Sequence, residues 1–172
     1  MIKAYVYGDR TQLSPHFRSS EFQCKCGKAH DTLISDELVS KLEELYAKLN
    51  CSKIIVTSGY RCVTHDKNVG GSGTGQHTKG TAADICCYGQ DGKPISSKVV
   101  CCTAQDLGFG GIANITSEYI YTHVDVRTGY RWLGDETVNN NTVTDDFYKY
   151  FGISKTDKPC LLYTSDAADD LT

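Results

Sequence analysis

The chain has 172 residues, 40% of them hydrophobic, enough for one buried core without disulfide staples and too ordinary for a disordered or fibrous protein. Its formal net charge is -3 with no Lys/Arg cluster, which argues against nucleic acid as a partner. No segment approaches the ~20 apolar residues of a membrane span, and the N-terminus lacks the apolar core of a signal peptide, so the reading is synthesis in a cytoplasm. The nine cysteines are odd in number and include the vicinal pairs Cys86-Cys87 and Cys101-Cys102. Vicinal pairs rarely bridge each other, so these read as reduced, small core residues rather than a secreted disulfide framework.

In chain order, an arm of about residues 1–34 comes first. Within it, residues 13–27 carry Pro15, clustered Ser and a Cys24-Lys25-Cys26-Gly27 turn, and read as an irregular segment anchored by Phe17 and Phe22. Cys24 and Cys26, with His30 nearby, have the residue types for a second metal, but they are spaced more tightly than the two to four residues usual between zinc-binding cysteines, so a buttress for the arm is the preferred reading. From Ser35, a natural N-cap, the stripe Leu38, Leu42, Leu45 and Leu49 has helical period, and the helix stops near Asn50. Residues 53–58 are β-branched and bounded by Gly59, as in a buried strand. Residues 59–80 hold too many Gly and Ser for a regular element and form a long loop, of the kind that carries function, ending on His77. Residues 82–87 read as a strand, 95–107 as a helix ended by Gly108, and 110–115 and 119–126 as two further strands. This order predicts a single α+β domain over residues 1–150, a mostly antiparallel sheet covered by helices. Residues 151–172 read as a tail, and 161–172 show no amphipathic period.

Chemistry concentrates in Gln76-His77-Thr78-Lys79-Gly80-Thr81-Ala82-Ala83-Asp84 and in Tyr121-Thr122-His123-Val124-Asp125-Val126-Arg127. Catalytic zinc takes three N or O ligands and leaves a fourth position for water, and two His with a carboxylate are a suitable set. On a strand, His123 and Asp125 project from one face, with Tyr121 beside them. Asp125 would then either take a proton from bound water or orient a ligand.

Together with Ser58-Gly59-Tyr60-Arg61 and the Gly70-Gly71 loop, these strings resemble the zinc peptidases of D-alanyl-D-alanine carboxypeptidase type, over roughly residues 14–132. That family includes D,D-dipeptidases, murein endopeptidases and phage endolysins, with hedgehog domains as structural relatives. Its motif S-x-H-x-x-G-x-A-x-D, followed by a late His, is matched by His77, Gly80, Ala82, Asp84 and His123, with Gly75 in place of the Ser. The opening His16-Phe17-x-x-x-Glu21-Phe22-x-Cys24-x-Cys26 resembles the arm of the phage and prophage branch. The resemblance implies one zinc ion held by His77, Asp84 and His123, and a peptidoglycan stem or cross-link peptide as substrate. It also implies that Arg61 holds a substrate carboxylate or the oxyanion, with Gln76, Tyr121 and Arg127 as further substrate contacts. Trp132 reads as a packed sheet residue.

Several members place a catalytic acid three residues before the last His, where this chain has Ile120. Asp125 is therefore the candidate base and Glu118 the reserve, although strand parity turns Glu118 away from His123. The implied activity is metallopeptidase, carboxypeptidase or endopeptidase, acting on the bacterial wall after phage lysis or from a virion. The alternative is a zinc-stabilised wall-binding or virion module without turnover.

Overall fold

The computed structural model describes residues 1–138 and 143–156. Strand β1 (Ile2–Tyr5) pairs antiparallel with β2 (Thr32–Ser35), so the arm begins and ends as a two-stranded ribbon. Helix α1 (Asp36–Lys48) follows at once, because Ser35 Oγ accepts the Leu38 N–H at 3.4 Å and caps it. Its stripe of Leu38, Val39, Leu42 and Leu45 is buried, and the chain leaves the helix through Asn50, whose φ of 49° is left-handed.

A five-stranded sheet has the order β3-β4-β6-β5-β7, with β3 at Lys53–Ser58, β4 at Ala82–Tyr88, β5 at Gly111–Asn114, β6 at Thr122–Asp125 and β7 at Trp132–Asp135. Its pairs are antiparallel except β5 with β7. Helix α2 (Val63–Asn68) follows β3, α3 (Ser97–Asp106) follows β4, and α4 (Phe147–Phe151) follows β7. This is an α+β fold with a mostly antiparallel sheet, as the sequence predicts. Among the described residues no helix is long and apolar enough to cross a membrane.

The sheet register decides what each face carries. Ala83, Val124, Ile112 and Leu133 lie side by side across β4, β6, β5 and β7, and share one core with α1 and α3. One residue away, Asp84, His123, Ala113 and Gly134 form the next lateral row, and strand alternation turns that row to the opposite face. Ala82, Asp125, Gly111 and Trp132 form a second row on this far face. The helices thus cover one side of the sheet, and the polar constellation occupies the other.

Phe17 and Phe22 are both buried, as the sequence predicts for anchors of the arm. The Tyr60 N–H donates to the Phe22 carbonyl at 2.8 Å, and a Cβ on Gly59 would come within 2.6 Å of Phe22 Cα, so the arm lies flush on the chain leaving β3.

Some elements differ from the sequence reading. The loop over 59–80 contains α2 ahead of its glycines, because Cys62 Sγ caps it and the buried Asp66 pins it. The strand predicted over 119–126 begins only at Thr122, because Tyr119 has a left-handed φ of 54° in a turn closed by its N–H on the Thr116 carbonyl. Glu118 is exposed on that turn, so strand parity does not govern it. β7 and α4 carry no local period that marks them. Phe151 and Ile153, assigned by sequence to a tail, pack on the core. Residues 161–172 lie outside the described residues.

Candidate metal centre

His77 opens a 3-10 turn (His77–Lys79) at the end of the Gly-rich loop. Gly80 ends that turn at φ +72°, and a Cβ there would meet the backbone and side chain of Leu33, so only glycine fits. Asp84 lies mid-strand on β4 and His123 directly opposite on β6. His77 Nδ1 is 2.7 Å from the Gly59 carbonyl, which takes the ring's N–H and leaves Nε2 facing the sheet. His77 Nε2 is 3.2 Å from His123 Nδ1 and 3.3 Å from Asp84 Oδ1, and His123 Nδ1 is 3.0 Å from the same oxygen. Tetrahedral zinc at about 2.0–2.1 Å from N and O ligands sets its ligand atoms roughly 3.3 Å apart. The three donors, all buried, already stand at nearly that spacing, so the residues fit the ion.

The surroundings fix these donors. His123 Nε2 is 3.0 Å from Asp125 Oδ2, the carboxylate–histidine arrangement that orients a ligating ring. Asp125 is fully buried, and Arg127 grips both its oxygens through Nε at 2.8 and 3.0 Å, through Nη2, and through its backbone N–H at 3.0 Å. The Arg127 guanidinium in turn lies 4.9 Å over the Trp132 ring, whose edge meets His123 at a centroid separation of 5.6 Å. Arg61 Nη2 donates to the second oxygen of Asp84 at 2.6 Å, its Nε donates to Ser58 Oγ, and Nη1 reaches Asp66 at 3.5 Å. Asp66 also accepts the Gly73 N–H at 2.9 Å and so ties α2 to the loop.

Burial alone would raise the Asp84 carboxyl, but hydrogen bonds and charge from His123 and His77 hold it far below the usual carboxylate range. Burial works to lower the His123 imidazole, yet Asp125 and Asp84 raise it to about 9. The carboxylates of Asp84 and Asp125 thus make the surroundings of His123 favourable to positive charge, as a divalent cation requires.

The structure brings His77, Asp84 and His123 together and redistributes the other candidates. Asp125 contacts the far nitrogen of His123 at 3.0 Å and is fully buried, a placement that suits orienting the ring. Arg127 is a brace for Asp125 rather than a free substrate contact. Gln76 Oε1 accepts from Thr81 Oγ1 at 2.7 Å, which commits that oxygen to the turn. Tyr121 is half-buried just before β6, where its carbonyl accepts the Ile115 N–H. Trp132 is half-buried and walls His123, in addition to packing the sheet.

One acid escaped the sequence reading. Glu136 follows β7 at the start of a 3-10 turn (Glu136–Val138), and the alternation of Trp132 and Gly134 carries it towards the His123 face. Ala113 and Gly134, between it and His123 in the sheet, are too small to screen it. Partial burial raises the Glu136 carboxyl while its side chain stays open to solvent, and the group feels the charges of His123, Asp84, Arg61 and His77 together. Nothing in the motif spacing points to it, because parallel pairing of β7 is what brings it near.

Compared with known proteins, the chain matches the model of a family described as Peptidase M15 over residues 15–125, well over half of its length. The match contains Arg61 and all three donors and stops short of Arg127, Trp132 and Glu136. No curated protein matches the chain.

Proposed function

Because the chain belongs to the peptidase M15 family, we propose that it is a zinc-dependent metallopeptidase that hydrolyses a peptide bond in the stem or cross-link of bacterial peptidoglycan. The observation that carries this reading is the triangle of His77 Nε2, Asp84 Oδ1 and His123 Nδ1, with edges of 3.0–3.3 Å, inside the matched segment. Zinc held by these three donors would keep a fourth position for water, lower that water's pKa towards ~7 and polarise the scissile carbonyl.

The residues of the chain do the rest. The Gly59 carbonyl fixes the tautomer of His77, and Asp125, held by Arg127, fixes that of His123. Arg61 neutralises the outer oxygen of Asp84 and leaves the inner one for the metal side. The Glu136 carboxylate takes the proton from the attacking water and returns it to the leaving amine, the task that family members give to an acid at the position of Ile120. Arg61 is engaged by Asp84, Ser58 and Asp66, but with 17% of its side chain exposed its Nη1 and Nη2 keep second N–H groups for a substrate carboxylate. The arm motif that resembles the phage and prophage branch supports an endolysin or virion-borne setting.

Ile120 also favours a second reading, a zinc-stabilised module that grips the wall without turnover. Digestion of purified peptidoglycan by the zinc-replete chain, followed by mass spectrometry of released peptides, separates the two. The peptidase releases new termini, loses the activity in a chelator and regains it with zinc, and His77→Ala is inactive. Wall binding that persists with no new termini at any zinc concentration overturns the peptidase reading in favour of the module.

A further inference from the structure

We propose that the chain holds a second zinc ion, in a closed structural site made by Cys24, Cys26, His30 and Cys62. The arm supplies the first three, and Cys62 comes from the loop between β3 and α2, far away in sequence. The four ligand atoms lie within 4.8 Å of one another. Zinc with sulfur at about 2.3 Å spaces its thiolates roughly 3.8 Å apart, so closing on an ion asks for only a small contraction.

The surroundings favour ligation over mere packing. Each sulfur accepts one backbone N–H: Cys24 from Cys62 at 3.3 Å, Cys26 from Lys28 at 3.4 Å, and Cys62 from His65 at 3.4 Å. Such bonds stabilise thiolate rather than thiol. The bond to Cys26 depends on Gly27, whose φ of +75° turns the Lys28 N–H back onto the sulfur. His30 Nδ1 is 3.0 Å from the Asp31 carbonyl, which leaves Nε2 as the ligand atom, 3.1 Å from Cys26 Sγ. A Cys3His set fills all four positions of tetrahedral zinc, so the site has no place for a water and is structural.

The sequence offers Cys24, Cys26 and His30 but not a fourth ligand, because the missing thiol arrives only when the arm docks beside Gly59 and Tyr60. The site's position also gives it a purpose. Cys62 follows Arg61, the residue that braces Asp84, so the ion would lock the arm and the Arg61 backbone into one unit beside the catalytic centre. It would be a positioning element and take no part in the chemistry.

Elemental analysis of the full chain tests this. The parent carries two zinc ions, His77→Ala one, Cys62→Ser one, and the double variant none. Cobalt substitution of His77→Ala gives the intense near-ultraviolet sulfur-to-cobalt charge-transfer band that a His2Asp site lacks. If Cys62→Ser fails to fold, the parent decides alone: titration with a mercurial thiol reagent releases one zinc as three thiols react, detected with a chelating dye. A parent whose only zinc is the one lost in His77→Ala, with these thiols freely reactive or oxidised to a disulfide in the metal-replete protein, overturns the proposal.

Discussion

Gly111→Ala tests whether Asp125 governs the metal centre through His123. Gly111 sits on β5 opposite Asp125, and a Cβ built there would lie 2.5 Å from Asp125 Cγ, 2.6 Å from Oδ1 and nearer still to Oδ2. The Gly111 backbone is not left-handed, so the substitution adds one methyl group and no conformational strain. The carboxylate cannot retreat, because it is fully buried and Arg127 holds it from the other side. Relief must come from shifting Asp125 off His123 Nε2 or spreading β5 from β6. Overpacking of this kind costs about 1–3 kcal/mol of stability. Loss of the partner that orients a ligating histidine weakens metal affinity by about 10–100-fold, which corresponds to roughly 1.4–2.8 kcal/mol. Competition with a fluorescent chelator at the site abolished by His77→Ala measures the affinity, and thermal unfolding the stability. Gly75→Ala is the control, since its Cβ would meet nothing closer than Ser72 Oγ at 3.9 Å. An affinity for Gly111→Ala within twofold of the parent refutes the coupling between Asp125 and the metal.

Three further outcomes follow from the same geometry. Glu136→Gln keeps its full metal content and loses about 10²–10⁴-fold in kcat, with the acidic limb of the pH profile removed; undiminished turnover would return the base to another group. Asp125→Asn weakens zinc affinity by about 10–100-fold while the loaded protein keeps most of its kcat; a collapse of kcat at unchanged affinity would make Asp125 the base after all. Burial works to raise the Asp135 carboxyl, but hydrogen bonds from Thr137, Asn114 and Tyr150 lower it. Its stabilising contribution is therefore present above the unfolded value of about 3.9 and is lost as pH falls through the lower folded value. Melting temperatures from pH 2 to 7 should show a flatter acid limb for Asp135→Asn, and superimposable profiles would contradict this.

Much of this layout is legible in the order of residues, wherever local physics acts alone. The leucine stripe of α1, its Ser35 cap and the β-branched run of β3 declare themselves through period and propensity, which depend on neighbours a few residues apart. His77, Asp84 and His123 stand out through the resemblance of their motif to that of a zinc peptidase family, and the register of β4 with β6 places two of them face to face. Four-residue strands such as β1 and β7 have no comparable signature, since a short run of apolar and polar residues becomes a strand only when a distant partner offers its hydrogen bonds.

The roles of the individual side chains were decided by tertiary structure. Asp125 lies two residues from His123 in sequence, which permits either a base or an orienter; burial against Gly111 and the grip of Arg127 are the grounds on which we propose the orienter. The resemblance implies Arg127 and Gln76 as substrate contacts; in the structure Arg127 Nε and Nη2 bond Asp125, and the Gln76 side-chain oxygen accepts from Thr81. The parallel pairing of β7 brings Glu136 within electrostatic range of the centre, and Cys62 reaches Cys24 through the docking of the arm. By itself, the sequence determined the α+β class, the leading elements and the residue types able to bind a metal, because composition and period are local properties. Which of those residues face each other, and which acid faces the metal side, were decided by sheet register and long-range packing, whose energies exist only once the chain has closed on itself.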